Sequence, residues 1–238
     1  MTTDSASKRT RILVFGIDGA TLDLARPFAE QGLMPNLKRM MDTGISGDMQ
    51  STIPPITPPA WTTFYTGTNS GKHGIFDFDR RSKESYRIIP TNSSFIDGEF
   101  FWQTLSKAGK RVGVFNAPLT HPPEPLNGIT VSGIMTPPGA ETFTYPPEFG
   151  DELTKNVKGY SIWPPEVVSS HKNENSYLDS ADALVKAQTD AMLYTMDKVG
   201  DWDFFMGVVQ FPDQIEHTFW HHMDPTHPKH DPKAPARC

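Results

Sequence analysis

Residues 12–19 read Ile-Leu-Val-Phe-Gly-Ile-Asp-Gly, and residues 204–213 read Phe-Phe-Met-Gly-Val-Val-Gln-Phe-Pro-Asp. Each begins as a short continuous apolar run closed by polar residues, the pattern of a strand buried on both faces of a parallel sheet. Each also carries an aspartate at or just past its end, Asp18 in the first and Asp213 in the second. In an open parallel sheet, ligands bind beyond the carboxyl ends of the strands, so both aspartates stand where a site is expected.

Working outward, helical spacing follows the first run over 22–28 and again over 36–41, where Pro35 opens the second helix and Gly44 stops it. Residues 45–52 predict a weaker strand. Thr57-Pro58-Pro59 then reads as a threonine N-cap with prolines in the first turn of a helix over 60–66, ended by Gly67. A helix over 100–108 closes at Gly109, and strands are predicted at 112–116 and 129–134. Leu178, Ala181, Val185, Met192, Met196 and Val199 form one apolar stripe at helical spacing, which predicts a helix over 176–198. Strands alternating with helices imply an α/β fold, an αβα sandwich with a mainly parallel sheet. Proline is abundant, and its Pro-Pro pairs are scattered at 54, 58, 122, 137, 146 and 164, as punctuation between elements.

The candidate chemistry sits at the element boundaries. Asp18 projects from a strand end toward the site, although Asp-Gly is also a common turn pair. Thr57 places its hydroxyl beside the positive end of a helix and its unpaired N–H groups, a setting that suits a phosphate anion, with simple capping as the alternative. Asp213 and His217 are four apart and share a face if a helix follows the strand, so both can reach one divalent cation. His73, in Gly71-Lys72-His73-Gly74, either reaches the site from a loop or is held structurally by hydrogen bonds. His217, His221, His222, His227 and His230 crowd the end of the chain; that crowding suits metal binding, though solvated surface histidine is the commoner use.

Composition narrows the field. Lys and Arg number 22 against 28 Asp and Glu, a net charge of −6, which argues against a partner held by its phosphate backbone, such as nucleic acid. The only cysteine is Cys238, so no intrachain disulfide and no cysteine zinc cage can form. The apolar run after Lys8, Arg9 and Arg11 is too short for a signal-peptide core or a membrane span, and the expected setting is cytoplasmic, with no membrane partner.

Three segments together resemble the alkaline phosphatase superfamily in its type I phosphodiesterase and nucleotide pyrophosphatase branch. They are Val14-Phe15-Gly16-Ile17-Asp18-Gly19-Ala20; residues 53–67 (IPPITPPAWTTFYTG) with Gly71-Lys72-His73-Gly74-Ile75; and residues 210–220 (QFPDQIEHTFW). The resemblance implies an alkaline phosphatase-like sheet and a phosphohydrolase or phosphodiesterase that uses two divalent metal ions, commonly zinc, with manganese or magnesium as alternatives. It implies that Thr57 is a metal-bound nucleophile forming a covalent phosphoenzyme, that Asp18 and Thr57 hold one metal, and that Asp213 and His217 hold the other. His73 stands behind these ligands, and the implied substrate is a small phosphorylated molecule such as a nucleotide. Ala60 occupies the position where relatives usually place a phosphate-contacting Asn.

The family also completes its ligand set with a downstream Asp-His-Gly, and no Asp-His pair occurs in the chain. The expected organisation is therefore a flexible segment at 1–10, the N-terminal part of a catalytic domain at 11–223, and a polar proline-rich tail at 224–238 that breaks off within a loop, leaving the fold incomplete at the C-terminus. Two other functions fit less of the sequence. One is a catalytically silent binding module, and the other is a hydrolase of another oxyanion ester, such as a phosphonate, sulfate or phosphoglycerate. Sulfatases use Cys or Ser where this chain has Thr57.

Overall fold

The computed structural model describes residues 9–163 and 174–230. Its strands are β1 (Ile12–Ile17), β2 (Asp79–Arg81), β3 (Ile88–Pro90), β4 (Val112–Ala117), β5 (Gly128–Ser132), β6 (Thr144–Tyr145) and β7 (Phe204–Val209). Its α-helices are α1 (Leu22–Glu30), α2 (Pro35–Thr43), α3 (Thr57–Thr66), α4 (Ser70–His73), α5 (Phe101–Lys107), α6 (Phe149–Asn156), α7 (Glu174–Val199) and α8 (Phe211–Met223). The main sheet runs β1-β7-β4-β5-β6, with β2 and β3 forming a separate antiparallel ribbon. Its β1–β7, β7–β4 and β4–β5 pairings are all parallel, and only the short β6 runs the other way.

The period-2 alternation of β7 divides the core. Phe204, Met206 and Val208 point to one face, where they meet Val112 and Val114 of β4, Tyr65 of α3, and Phe100 and Trp102 at α5. Phe205 points to the other face and joins Phe115, Val131, Phe149 and Leu153 of α6, and Ala191, Met192 and Val199 of α7. Helices thus cover both faces, which is the αβα sandwich read from the sequence. Asn116 interrupts the alternation of β4: it sits at φ 54°, where the pairing with β5 shifts register, so Ala117 turns back to the face of Val112 and Val114. Asparagine tolerates that left-handed conformation, and its Oδ1 accepts a hydrogen bond from Tyr160 Oη at 2.8 Å.

The helix expected over 176–198 spans Glu174–Val199, and the apolar run at 204–209 is a strand with those bounds. Three expectations are corrected. β1 is a strand, but it pairs only with β7 at the edge of the sheet, and Ile12, Leu13 and Phe15 are each more than half exposed (53%, 54% and 53%). An apolar run signals strand but not how many sides are covered, which depends on position in the sheet. Residues 45–52 form no strand, and Ile45 and Met49 stand in solvent, because no neighbouring strand supplies a ladder. Thr57 is the first helical residue and Ile56 the N-cap, so the helix begins one position earlier than expected.

Within the segment expected to be flexible, residues 1–8 lie outside the described residues, while Arg9 is ion-paired with Asp201 and Asp203. In the expected tail, residues 224–230 fold back in turns, and 231–238 lie outside the described residues, as does the Pro-Pro pair at 164.

Asp203 joins the starts of three strands. Its carboxylate accepts from Arg9 Nε and from the Arg111 amide, both at 2.8 Å, and its carbonyl accepts from the Ile12 amide at 2.9 Å. The Arg9 guanidinium, then the Arg111 amide, hold this carboxyl at about 2, below its ordinary 3.8. A depressed carboxyl stabilises the fold above its ordinary pKa and loses that contribution as pH falls through the folded value. Asp203→Asn is therefore expected to lower the urea midpoint near neutral pH and to flatten its decline between about pH 4 and about pH 2, as measured by denaturation across that range.

Candidate active site

β1 and β7 end level with each other. Ile17 pairs with Val209, and the Asp18 amide donates to the Val209 carbonyl at 2.9 Å, so the chain leaves both strands at the same edge. The Asp18-Gly19 turn then lies directly against the first turn of α8. Gly19 has φ 74°, and a Cβ there would fall 2.6 Å from Asp213 Cα. Only glycine combines that conformation with that approach, which lets the loop after β1 abut the residue carrying Asp213.

The third wall is α3, whose residues Thr57, Trp61 and Tyr65 recur every four positions and so share a face. Trp61 lies across Gly16 of β1, where a Cβ would come 2.5 Å from the indole ring. From there Trp61 Nε1 donates to Asp18 Oδ1 at 3.0 Å, and Thr57 Oγ1 donates a longer hydrogen bond to Asp18 Oδ2 at 3.4 Å. Asp18 is thus held by both oxygens from one helix. Tyr65 stacks on Trp61 with ring centroids 5.9 Å apart; its buried hydroxyl has no hydrogen-bond partner among the described residues, and burial, then the nearby Asp18, push its pKa well up.

The expected cradle of backbone donors at the start of α3 is absent. Pro58 and Pro59 carry no N–H, and the Ala60 amide is taken up by the Ile56 carbonyl at 3.1 Å. Of those first four helical residues, only Thr57 keeps an amide for an anion. The helix contributes its dipole, and most of the positive charge that a phosphate needs must come from elsewhere.

Asp213 and His217 pair across one turn of α8, with Nε2 3.5 Å from Oδ1. Together with Glu216 and Trp220 they line an open groove of about 420 Å³. Burial raises the Asp18 pKa; the Trp61 hydrogen bond opposes it, Asp213 repulsion adds to it, and Thr57 and the Gly19 amide oppose it. Glu216 is raised by burial and by Asp213, against His217. Among the described residues, neither Asp18 nor Asp213 is ion-paired with Lys or Arg. Partly desolvated carboxylates that repel each other, beside a hydroxyl and an imidazole, form an oxygen and nitrogen donor set that fits divalent cations.

The structure brings Asp18 and Thr57 together as one pair and Asp213 and His217 as an adjoining pair. His73 is placed differently from these four. It is buried in α4, bonds Thr63 Oγ1 through Nε2 at 3.0 Å, and accepts from the Ile75 amide through Nδ1 at 3.1 Å. Because Nδ1 accepts, Nε2 carries the proton and donates to Thr63, so His73 fastens α4 to the turn of α3 beyond Thr57. Sequence reasoning missed Trp61 and Glu216. Trp61 is four residues after Thr57, a spacing that puts it on the same helical face.

The chain belongs to the type I phosphodiesterase / nucleotide pyrophosphatase family, which it matches over residues 12–230. No curated protein matches its sequence. Among solved structures it resembles phosphonoacetate hydrolase from Sinorhizobium meliloti 1021 in complex with phosphonoacetate, at 19% identity and a TM-score of 0.59 over 93% of this chain and 50% of that one. The same enzyme in complex with phosphonoformate gives 20% identity and a TM-score of 0.60, with the same coverage. The chain thus spans about half the length of these neighbours and shares the alkaline phosphatase-like fold.

Gly19→Ala tests the close approach on which this geometry rests. A Cβ at positive φ, aimed at backbone atoms, cannot be relieved by turning a side chain. The expected cost is about 1–3 kcal/mol in urea denaturation, with loss of the hydrogen bonds to Asp18 visible in a crystal structure of the variant.

Proposed function

We propose that the chain is a metal-dependent hydrolase of phosphoric or phosphonic ester bonds that uses Thr57 as nucleophile. The observation that carries this reading is the bond from Thr57 Oγ1 to Asp18 Oδ2, placed beside Asp213 at the strand ends. Family membership supports the same chemistry. Asp18 with Thr57, and Asp213 with His217, are the residues that would hold two divalent ions, zinc in the first instance; such ions lower the pKa of a bound hydroxyl and offset charge growing in the transition state.

The chain's own groups do the positioning. Asp18 Oδ2 holds the Thr57 hydrogen, which leaves the Oγ1 lone pairs for the phosphorus centre. Trp61 keeps Asp18 from rotating away and covers it with an apolar ring. The groove beside Asp213 admits the substrate, a small phosphorylated or phosphonylated molecule; a nucleotide is the narrower form of that reading. Attack by Thr57 forms the Oγ–phosphorus bond as the phosphorus–oxygen bond to the leaving group breaks, the hydroxyl proton passing by way of Asp18 to the departing oxygen; water then adds its oxygen to phosphorus and returns a proton to Oγ, which restores the hydroxyl.

A silent binding module with the same fold is the second reading. The two are separated by assaying chromogenic phosphodiesters, phosphonate esters and a nucleotide in the presence of zinc, manganese or magnesium. Thr57→Ala is expected to cut turnover by about 10³-fold or more while bound metal, measured by elemental analysis, stays largely intact. Asp213→Ala is expected to lose both, because a carboxylate ligand supplies charge that outer contacts worth about 10- to 100-fold in affinity do not. Near-normal turnover in Thr57→Ala rules out the nucleophile and favours direct attack by an activated water, whereas ligand binding without turnover favours the silent module.

A further inference from the structure

Sequence spacing alone leaves His221 and His222 as members of a histidine-rich end, but the fold gives them a partner 48 positions away. Glu174 opens α7 while His221 and His222 lie in the last turn of α8, and one ligand atom from each of the three falls within 4.8 Å of the others. Among the described residues this is the only such group of three His, Asp or Glu side chains. At about 100° per residue, His221 is turned about 80° and His222 about 180° from Asp213 around α8, so His221 lies on the flank of the helix and His222 on the face opposite the groove. That face packs on α7 through Tyr177, Leu184, Phe211 and Phe219.

We propose that Glu174, His221 and His222 form a binding site for a divalent cation of the zinc class, separate from the Asp18–Thr57–Asp213–His217 site. Glu174 Oε1 and His222 Nε2 are 3.3 Å apart. Ligands about 2.0–2.1 Å from a tetrahedral zinc stand about 3.3–3.4 Å from each other, so this pair already has the spacing of two ligands on one ion. The rings of His221 and His222 lie side by side, with centroids 3.9 Å apart, and His230 Nδ1 meets the His221 carbonyl at 3.0 Å, holding the folded-back segment against this turn.

The His222 side chain is only 5% exposed, and among the described residues its buried Nδ1 has no hydrogen-bond partner. With the proton on Nε2, Nδ1 is left bare in the interior. With the proton on Nδ1, the Nε2 lone pair faces the Glu174 carboxylate, acceptor against acceptor. A cation between Nε2 and that carboxylate converts the second arrangement into a bonding one. Two imidazoles and a carboxylate leave a fourth position for water and satisfy the preferences of zinc, cobalt or nickel better than those of magnesium or calcium. Bound there, the ion ties the start of α7 to the end of α8, the helix whose first turns carry Asp213 and His217.

The test uses the 238-residue chain carrying Asp18→Asn and Asp213→Asn, which disables the first site, with zinc measured by equilibrium dialysis and unfolding temperature followed with and without zinc. The expected result is one zinc per chain in this background, with a zinc-dependent rise in unfolding temperature. Adding Glu174→Gln or His222→Gln should weaken binding by more than about 10-fold, since even outer contacts to a metal are worth that much, and should abolish the rise. Glu174 is partly exposed, so its conservative variant is readable where His222→Gln fails to fold, as judged by circular dichroism. Absence of zinc binding in the background chain, or unchanged binding in both added variants, overturns the proposal. The reading does not depend on Thr57 chemistry, and a fully active Thr57→Ala leaves it untouched.

Discussion

The parallel pairing of β1 with β7 is the constraint on which the rest of the site depends. The two strands are remote in sequence and run level from Ile12 opposite Phe204 to Ile17 opposite Val209. Adjacent strands lie about 4.8 Å apart, so any residue just past the end of one is a neighbour of the residues just past the other. Asp18 and Asp213 are brought side by side in this way before any side chain chooses a rotamer. Gly19 then removes the one Cβ that would hold the two connections apart.

That juxtaposition has an electrostatic cost which the surroundings offset only in part. Trp61 and Thr57 donate hydrogen bonds to Asp18, but burial and Asp213 work in the opposite direction, and Glu216 adds a third carboxyl under the same strain. The prolines at the start of α3 compound the deficit by removing the amides that would ordinarily greet an anion. A phosphate group could not enter such a groove against uncompensated carboxylates. The same arrangement becomes favourable once divalent charge is present, because repulsion between ligands turns into attraction for the ion. The physical chemistry of the groove and the family's known reliance on metal ions therefore agree.

α8 links this groove to the rest of the molecule. Its first two turns present Asp213, Glu216 and His217 to the groove, while Phe211 and Phe219 are buried against Tyr177, Ala181 and Leu184 of α7. α7 in turn packs by Ala191, Met192 and Val199 on the face of the sheet opposite α3. The rotation of α8, and hence the aim of its ligands, is set by apolar burial on its far side. An Arg111 side chain that reaches the Val199 carbonyl and the Asp203 bonds to Arg9 and Arg111 secure the other end of the same layer.

The sequence by itself determined the αβα class, the bounds of β1 and β7 and the long α7, and it put Asp18, Thr57 and Asp213 at element boundaries with His217 one helical turn beyond Asp213. These are local properties, carried by apolar periodicity and by the proline and glycine signals at helix ends. Only the tertiary structure decided that β1 is an edge strand with Leu13 and Phe15 uncovered, that 45–52 has no strand to pair with, and that His73 serves α3 through Thr63. It also decided that Trp61 holds Asp18 across Gly16, and that Glu174 meets His222 from another helix. The reason is common to all of these: each depends on which element lies alongside, and the pairing of residues dozens of positions apart leaves no periodic trace in either segment.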